Sequence, residues 1–256
     1  MTIRAGSSIV HELHSTAALP SDPSLLWVAQ GLTGSSRAWA SEDSRAFAVA
    51  APHLSRHDRL AVAGPVESLA PLVAEVLAET GPGYSPLGDE ATVRALIGAL
   101  PGLRPLATYG WMSRTRPLSP AEAAAADEGK ARWLADEDSA EIGALLAEAF
   151  PGSYAVPGAP GVERWAGTRD DAGRLTAVAA LAWPSPEVGL LAGVAVHPSA
   201  RGRGLARPVV TKVLAEALAA HGTACLMVED ANRPAIGLYE SLGFTYRPFL
   251  VAELAA

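Results

Sequence analysis

Cysteine is nearly missing from this chain. Cys225 is the single one in 256 residues, so a disulfide framework is excluded, and its place in the apolar run ACLMV reads as a buried thiol in a reducing compartment. Positive charge is also in short supply. Twenty Lys and Arg against 27 Asp and Glu give a net charge of −7 and a pI near 5.4, which argues against general affinity for nucleic acid or anionic membranes, since both need a dense positive surface. No stretch approaches the roughly 18 uncharged apolar residues of a membrane span, and the start, MTIRAGSSIVHEL, has no continuous apolar core of a signal peptide. The expectation is a soluble cytoplasmic protein with neither nucleic acid nor membrane as partner. There is no exact internal repeat. No G-x-G-x-x-G follows the first strand of a βαβ unit, and no acid about 20 residues on is placed to hold a ribose, so a dinucleotide-binding fold is disfavoured.

What is present is apolar sequence with clear punctuation. The chain is 49% hydrophobic, enough for one large domain or two of ordinary size. In the first half, RAWASEDSRAFAVAAP reads as a hairpin, DRLAVAG as a strand, SLAPLVAEVLAET and DEATVRALIGALPG as helices, and LATYGWMSR as a strand. The proline-rich RTRPLSP and the charged AEAAAADEGK, which fits a short helix as well as a flexible linker, mark a boundary, giving residues 1–127 and 128–256. From Ala131 the order reads β-α-β-β-β-α-β-α-β, with helical crossovers confined to this part.

The densest chemistry lies in HPSARGRGLAR, residues 197–207. A strand ending in HPS feeds a helix through ARGRGLA, and a helix start carries unpaired N–H groups that suit a phosphate. Gly202 and Gly204 permit close approach, while Arg201, Arg203 and Arg207 add charge, and no acid occurs between Arg201 and Lys212. The same residues also fit a solvated turn whose glycines merely allow a tight strand-to-helix connection.

The neighbouring sequence is more specific. GVAVHPSARGRGLA resembles the signature of the GNAT (GCN5-related) N-acetyltransferases, whose R/Q-x-x-G-x-G/A pattern is met by Arg201, Gly204 and Ala206. NRPAIGLYESLGF resembles the family's N-x-x-A-x-x-L-Y-x-x-x-G-F, with Asn232, Tyr239, Gly243 and Phe244 in place. The resemblance covers residues 130 to 256 and is nearest the glycine N-acyltransferase (FR47-like) branch, with 1–127 as a degenerate copy of the fold.

It implies a mixed α/β (α+β) fold with a mostly antiparallel sheet flanked by helices, and acetyl-CoA or another acyl-CoA as co-substrate with no metal. Val194, Ala195 and Val196 would take the pantetheine arm and acetyl carbonyl. Gly202, Arg203, Gly204, Leu205, Ala206 and Arg207 would hold the pyrophosphate. Asn232 would bond the CoA chain or cap its helix, and Tyr239 would protonate the departing thiolate.

The base is less defined. Some relatives carry a glutamate five residues before the asparagine, where this chain has Met227; Glu229 lies two residues on and would share its face if the strand continued. Glu187 and His197 flank the preceding strand as further candidates. The implied activity is transfer of an acyl group to a primary amine of a small molecule or peptide by direct attack. The alternative is a CoA-binding sensor or scaffold without catalysis. A homodimer is left open.

Overall fold

The structure is a computed structural model and describes residues 10–128 and 130–255. Its strands are β1 (Val10–Leu13), β2 (Arg37–Ser41), β3 (Phe47–Leu54), β4 (His57–Ala63), β5 (Ser85–Asp89), β6 (Leu103–Arg114), β7 (Arg132–Trp133), β8 (Val162–Arg169), β9 (Leu175–Ser185), β10 (Val188–Val196), β11 (Ala224–Val228) and β12 (Thr245–Leu254). The helices are α1 (Pro23–Ala29), α2 (Val66–Thr80), α3 (Glu90–Ala99), α4 (Pro120–Glu128), α5 (Ser139–Ala149), α6 (Ala206–His221) and α7 (Arg233–Ser241). Among the described residues no helix is long and apolar enough to cross a membrane.

By contact the chain forms two compact units. One holds the described residues up to Tyr109 together with those from Pro248 onward; the other is Gly110–Arg247. Both transitions fall inside strands, within β6 on the way out of the first unit and within β12 on the way back. The stretch RTRPLSPAEAAAADEGK lies inside the second unit, and its alanine-rich part forms α4.

In the first unit β1 to β4 pair antiparallel in sequence order. Then β4 and β5 run parallel over three pairs, Arg59–Ala61 with Ser85–Leu87, and β5 takes Phe249–Val251 of β12 antiparallel. Leu69, Leu72, Val73 and Val76 of α2 and Val93 and Leu96 of α3 pack on Trp39, Leu60 and Val62. Each such aliphatic side chain contributes about 1.5–3 kcal/mol when fully buried.

The second unit repeats this order. β7 to β10 are antiparallel neighbours, β10 and β11 run parallel over Gly189–Leu191 with Ala224–Leu226, and β11 takes Gly110–Arg114 of β6 antiparallel. α6 sets Val209, Val210, Val213, Leu214 and Ala217 against Ala177, Ala179 and Leu181 of β9. The fold is thus mixed α/β, with a mostly antiparallel sheet in each unit and helices against it. In each, the segment beyond the parallel pair is part of a strand, β12 or β6, that continues past the unit's boundary.

Three elements escape a reading of pattern alone. β5 is SPLGD, whose proline and glycine suggest a turn, yet strands on both sides supply its hydrogen bonds. α1 is only seven residues, started by Asp22, which accepts from the Ser24 amide, and by Pro23. β1 is a four-residue edge.

Candidate functional site

The site begins where two parallel strands part. Among the described residues, pairing of β10 with β11 ends at Leu191 and Leu226, while β10 continues to Val196 held by β9 alone. On the side away from β9, no strand pairs with Ala192–Val196 among the described residues. The strand is also bulged there, because Gly193 and Val194 together stand between the pairs Ala192↔Ala180 and Ala195↔Val178. Gly193 has φ +60°, and a Cβ on it would lie 2.5 Å from Cη2 of Trp165. Only glycine fits both the dihedral and the space. Of the three residues expected along an acyl chain, Val194 and Val196 are half-buried and Ala195 is buried.

After β10 the chain turns through a short 3₁₀ segment, Pro198–Ala200, started by His197, whose Nδ1 accepts from the Ser199 amide at 3.3 Å. Gly202 and Gly204 both have φ +75°, with nothing within 4 Å of either Cβ position. α6 then starts behind Leu205 with no side-chain cap and no acid in its first turn. Its first amides and the positive end of its dipole are left for an anion. Pro208, in that turn, removes an N–H that has no partner within the helix.

The three arginines of the turn differ in what they hold. Arg201 donates to the carbonyls of Val196 (3.4 Å) and Ala149 (3.2 Å), tying the turn to the end of α5. Arg207 donates to Ser241 Oγ at 2.5 Å. Arg203 is exposed, and its side chain has no bonded partner among the described residues. His197 Nε2 lies 3.2 Å from the Glu148 carboxylate.

α7 carries the second motif. Asn232 caps it, accepting from the Ala235 amide at 3.2 Å. Tyr239 is 6% exposed, packs edge-on to Phe244 at 6.0 Å, and shares one apolar cluster with Leu191 and Leu226, against which Val194, Val196 and Leu238 also lie. Burial pushes its phenol up to about 12, so it holds its proton throughout the neutral range.

β11 ends at Val228, Glu229 is exposed one residue beyond it, and its carbonyl accepts from the Asn232 amide. Met227 pairs with Trp111 inside the sheet. Glu187 sits in the β9–β10 hairpin, at the opposite end of β10 from Val196 and His197.

Two features had no signal in the sequence. Tyr246 donates to Asp230 Oδ1 at 2.5 Å, two residues from the cap of α7. Arg114, at the end of β6, has a side chain with 0% exposure paired with Glu122, beside a cavity of about 270 Å³ that also reaches Arg207 and Pro208. A tyrosine and an acid 16 residues apart, or an arginine in an apolar strand, carry no spacing rule that would single them out.

Residues 126–244 match the acetyltransferase (GNAT) family. A mycothiol acetyltransferase from Nocardioides sp. is 45% identical over 67 residues, which is 25% of this chain and 22% of that protein; the chain thus matches less than a quarter of its relative. A GNAT-family acetyltransferase structure from Novosphingobium aromaticivorans aligns over 91% of this chain and 97% of its own, at 21% identity and a TM-score of 0.53. A GCN5-related N-acetyltransferase from Sphaerobacter thermophilus aligns over 98% of both chains, at 13% identity and a TM-score of 0.55. These structural likenesses speak for the fold. Residues 126–244 are thus similar to the GNAT acetyltransferase family.

Proposed function

We propose that the protein is an N-acetyltransferase that moves an acetyl or other short acyl group from CoA to a primary amine of a small molecule or peptide. The observation that carries this reading is the parting of β10 and β11 after Leu191 and Leu226, directly before an uncapped glycine turn and with a buried phenol in the adjoining core. A thioester-bearing chain laid along Ala192–Val196 would gain main-chain hydrogen bonds, each worth about 1 kcal/mol net. Gly202, Gly204, Leu205 and Ala206 would offer amides to its phosphates, and Arg203 a free guanidinium. Such a chain supplies an activated acyl carbonyl. Tyr239 then donates its proton to the thiolate as the amine nitrogen forms its bond to carbon and the C–S bond breaks, while the proton lost by the amine passes to water, from which the Tyr239 phenolate is reprotonated. The named activity of the Nocardioides relative supports acetyl as the group moved.

We also infer that residues 1–127 descend from a copy of the same fold that has lost its anion site. Its parallel pair, β4 with β5, has the same three-residue span as β10 with β11. At the start of α2, however, Glu67 stands in the first turn and Ser68 Oγ donates to Asp43 at 2.6 Å. Hydroxyls of Ser41 and Ser68 hold the Asp43 carboxyl down at about 2, so a fixed negative charge stands there.

The test is thiol release from acetyl-CoA across a panel of small-molecule and peptide amines, with binding followed by calorimetry. Tyr239→Phe is expected to lower kcat about 10²-fold or more and leave acetyl-CoA affinity within twofold. Binding without thiol release from any amine would turn the reading to a CoA-binding sensor or scaffold, and absence of binding would refute both.

A further inference from the structure

Arg114 is a cation with no contact to water, a costly arrangement unless every donor is paired. All five N–H groups are. Nε donates to the Arg116 carbonyl (2.9 Å), Nη1 to Glu122 Oε1 (2.9 Å) and to the Leu242 carbonyl (2.6 Å), and Nη2 to the Pro117 carbonyl (3.1 Å) and Glu122 Oε2 (3.0 Å). Four of these bonds stay within eight residues of Arg114. The fifth and shortest reaches Leu242, 128 residues away.

Leu242 terminates the helix that carries Tyr239. Its amide bonds back to the carbonyls of Leu238 and Tyr239, and the Phe244 amide also bonds to the Tyr239 carbonyl. The guanidinium thus sits at the negative end of the helix dipole and fixes the carbonyl just past the last turn. Nine residues are too few for a helix to hold its own geometry in water, so the pose of Tyr239 depends on such anchors. On its other side the same turn is held through Arg207 and Ser241 Oγ, which donates to the Leu238 carbonyl.

We propose that Arg114 is a positioning residue for Tyr239, set by its bond to the Leu242 carbonyl, and that this is one contribution of the N-terminal sequence to the acyltransfer site. It rests on the reading of Tyr239 as proton donor. A buried ion pair that only filled space could be replaced by apolar side chains of similar volume without loss. A directed bond to one carbonyl could not.

Arg114→Met and the charge-keeping Arg114→Lys test it in the full chain. With an accepted amine, Arg114→Met is expected to lower kcat about tenfold while the KM for acetyl-CoA stays within twofold. Tyr239→Phe should then cost at least tenfold less in that background than in the parent. Amide exchange at Leu242, Gly243 and Phe244 should quicken at least tenfold in both variants, with amides of β9 unchanged. Arg114→Lys keeps this readout should Arg114→Met fail to fold. Fully additive losses, or exchange at 242–244 unchanged in the folded variant, overturn the proposal. A parent that binds acetyl-CoA but turns over no amine refutes the enzyme reading alone, because the exchange result still decides the clamp.

Discussion

Replacing Gly193 with alanine should be among the most damaging single-methyl changes available to the second unit. The added Cβ would stand 2.5 Å from Trp165 Cη2 and 2.9 Å from Cζ3, and Trp165 is itself 6% exposed on β8, so the ring has little room to retreat. Overpacking of this kind costs about 1–3 kcal/mol. The φ of +60° adds about 1–2 kcal/mol for any residue with a side chain. The sum, about 2–5 kcal/mol, corresponds to a melting-temperature drop of about 5–20 °C for a chain of this size. If acyl-CoA lies along this strand as proposed, loss of one main-chain bond at the bulge, about 1 kcal/mol, should weaken its binding about fivefold. Gly143→Ala is the matched control. It lies in α5 with nothing within 4 Å of its Cβ position, and alanine there should stabilise by about 1 kcal/mol. Calorimetric melting of both variants decides the matter: a Gly193→Ala protein melting within about 2 °C of the parent would refute the claim that the bulge demands glycine.

Two further outcomes follow from the same geometry. A protease site placed between Glu128 and Ala131 should yield two pieces that co-elute in gel filtration, because Gly110–Arg114 completes one unit and Pro248 onward the other; separation of the pieces without denaturant would count against that exchange. Burial pushes Tyr109 and Tyr239 up to about 12, above the ordinary phenol near 10. The stability they contribute is whole below pH 10 and lost as pH rises through 12. Denaturant midpoints should therefore hold to about pH 10 and then fall, with a shallower fall in Tyr239→Phe, and an equal slope in both proteins would contradict it.

The parts of this fold legible in the sequence are those whose signal is local. α6 declares itself through apolar spacing and the glycine, Gly222, that closes it, α7 through its Asn232 cap and apolar spacing, and the turn between Arg201 and Ala206 through glycines at positive φ. β5 is not legible, since nothing in SPLGD prefers a strand until β4 and β12 flank it. The site divides in the same way. Tyr239 and the glycine turn carry motifs, whereas Arg114 gains its meaning from a carbonyl 128 residues on, and Gly193 from a tryptophan on another strand. Arg207 shows the limit from the other side: a basic residue in an anion-binding pattern turns its guanidinium to a serine hydroxyl.

The path of the chain has a mechanical consequence. In sequence, residues 110–247 are an insertion in the first unit, entered at Gly110 and left at Arg247, while Val10 and Ala255 both belong to that first unit. A pull applied at those two residues loads the pairing of β1 with β2 and of β12 with β5 before tension reaches β10 and β11. The second unit is shielded from force on its own chain by strands that have to give way first.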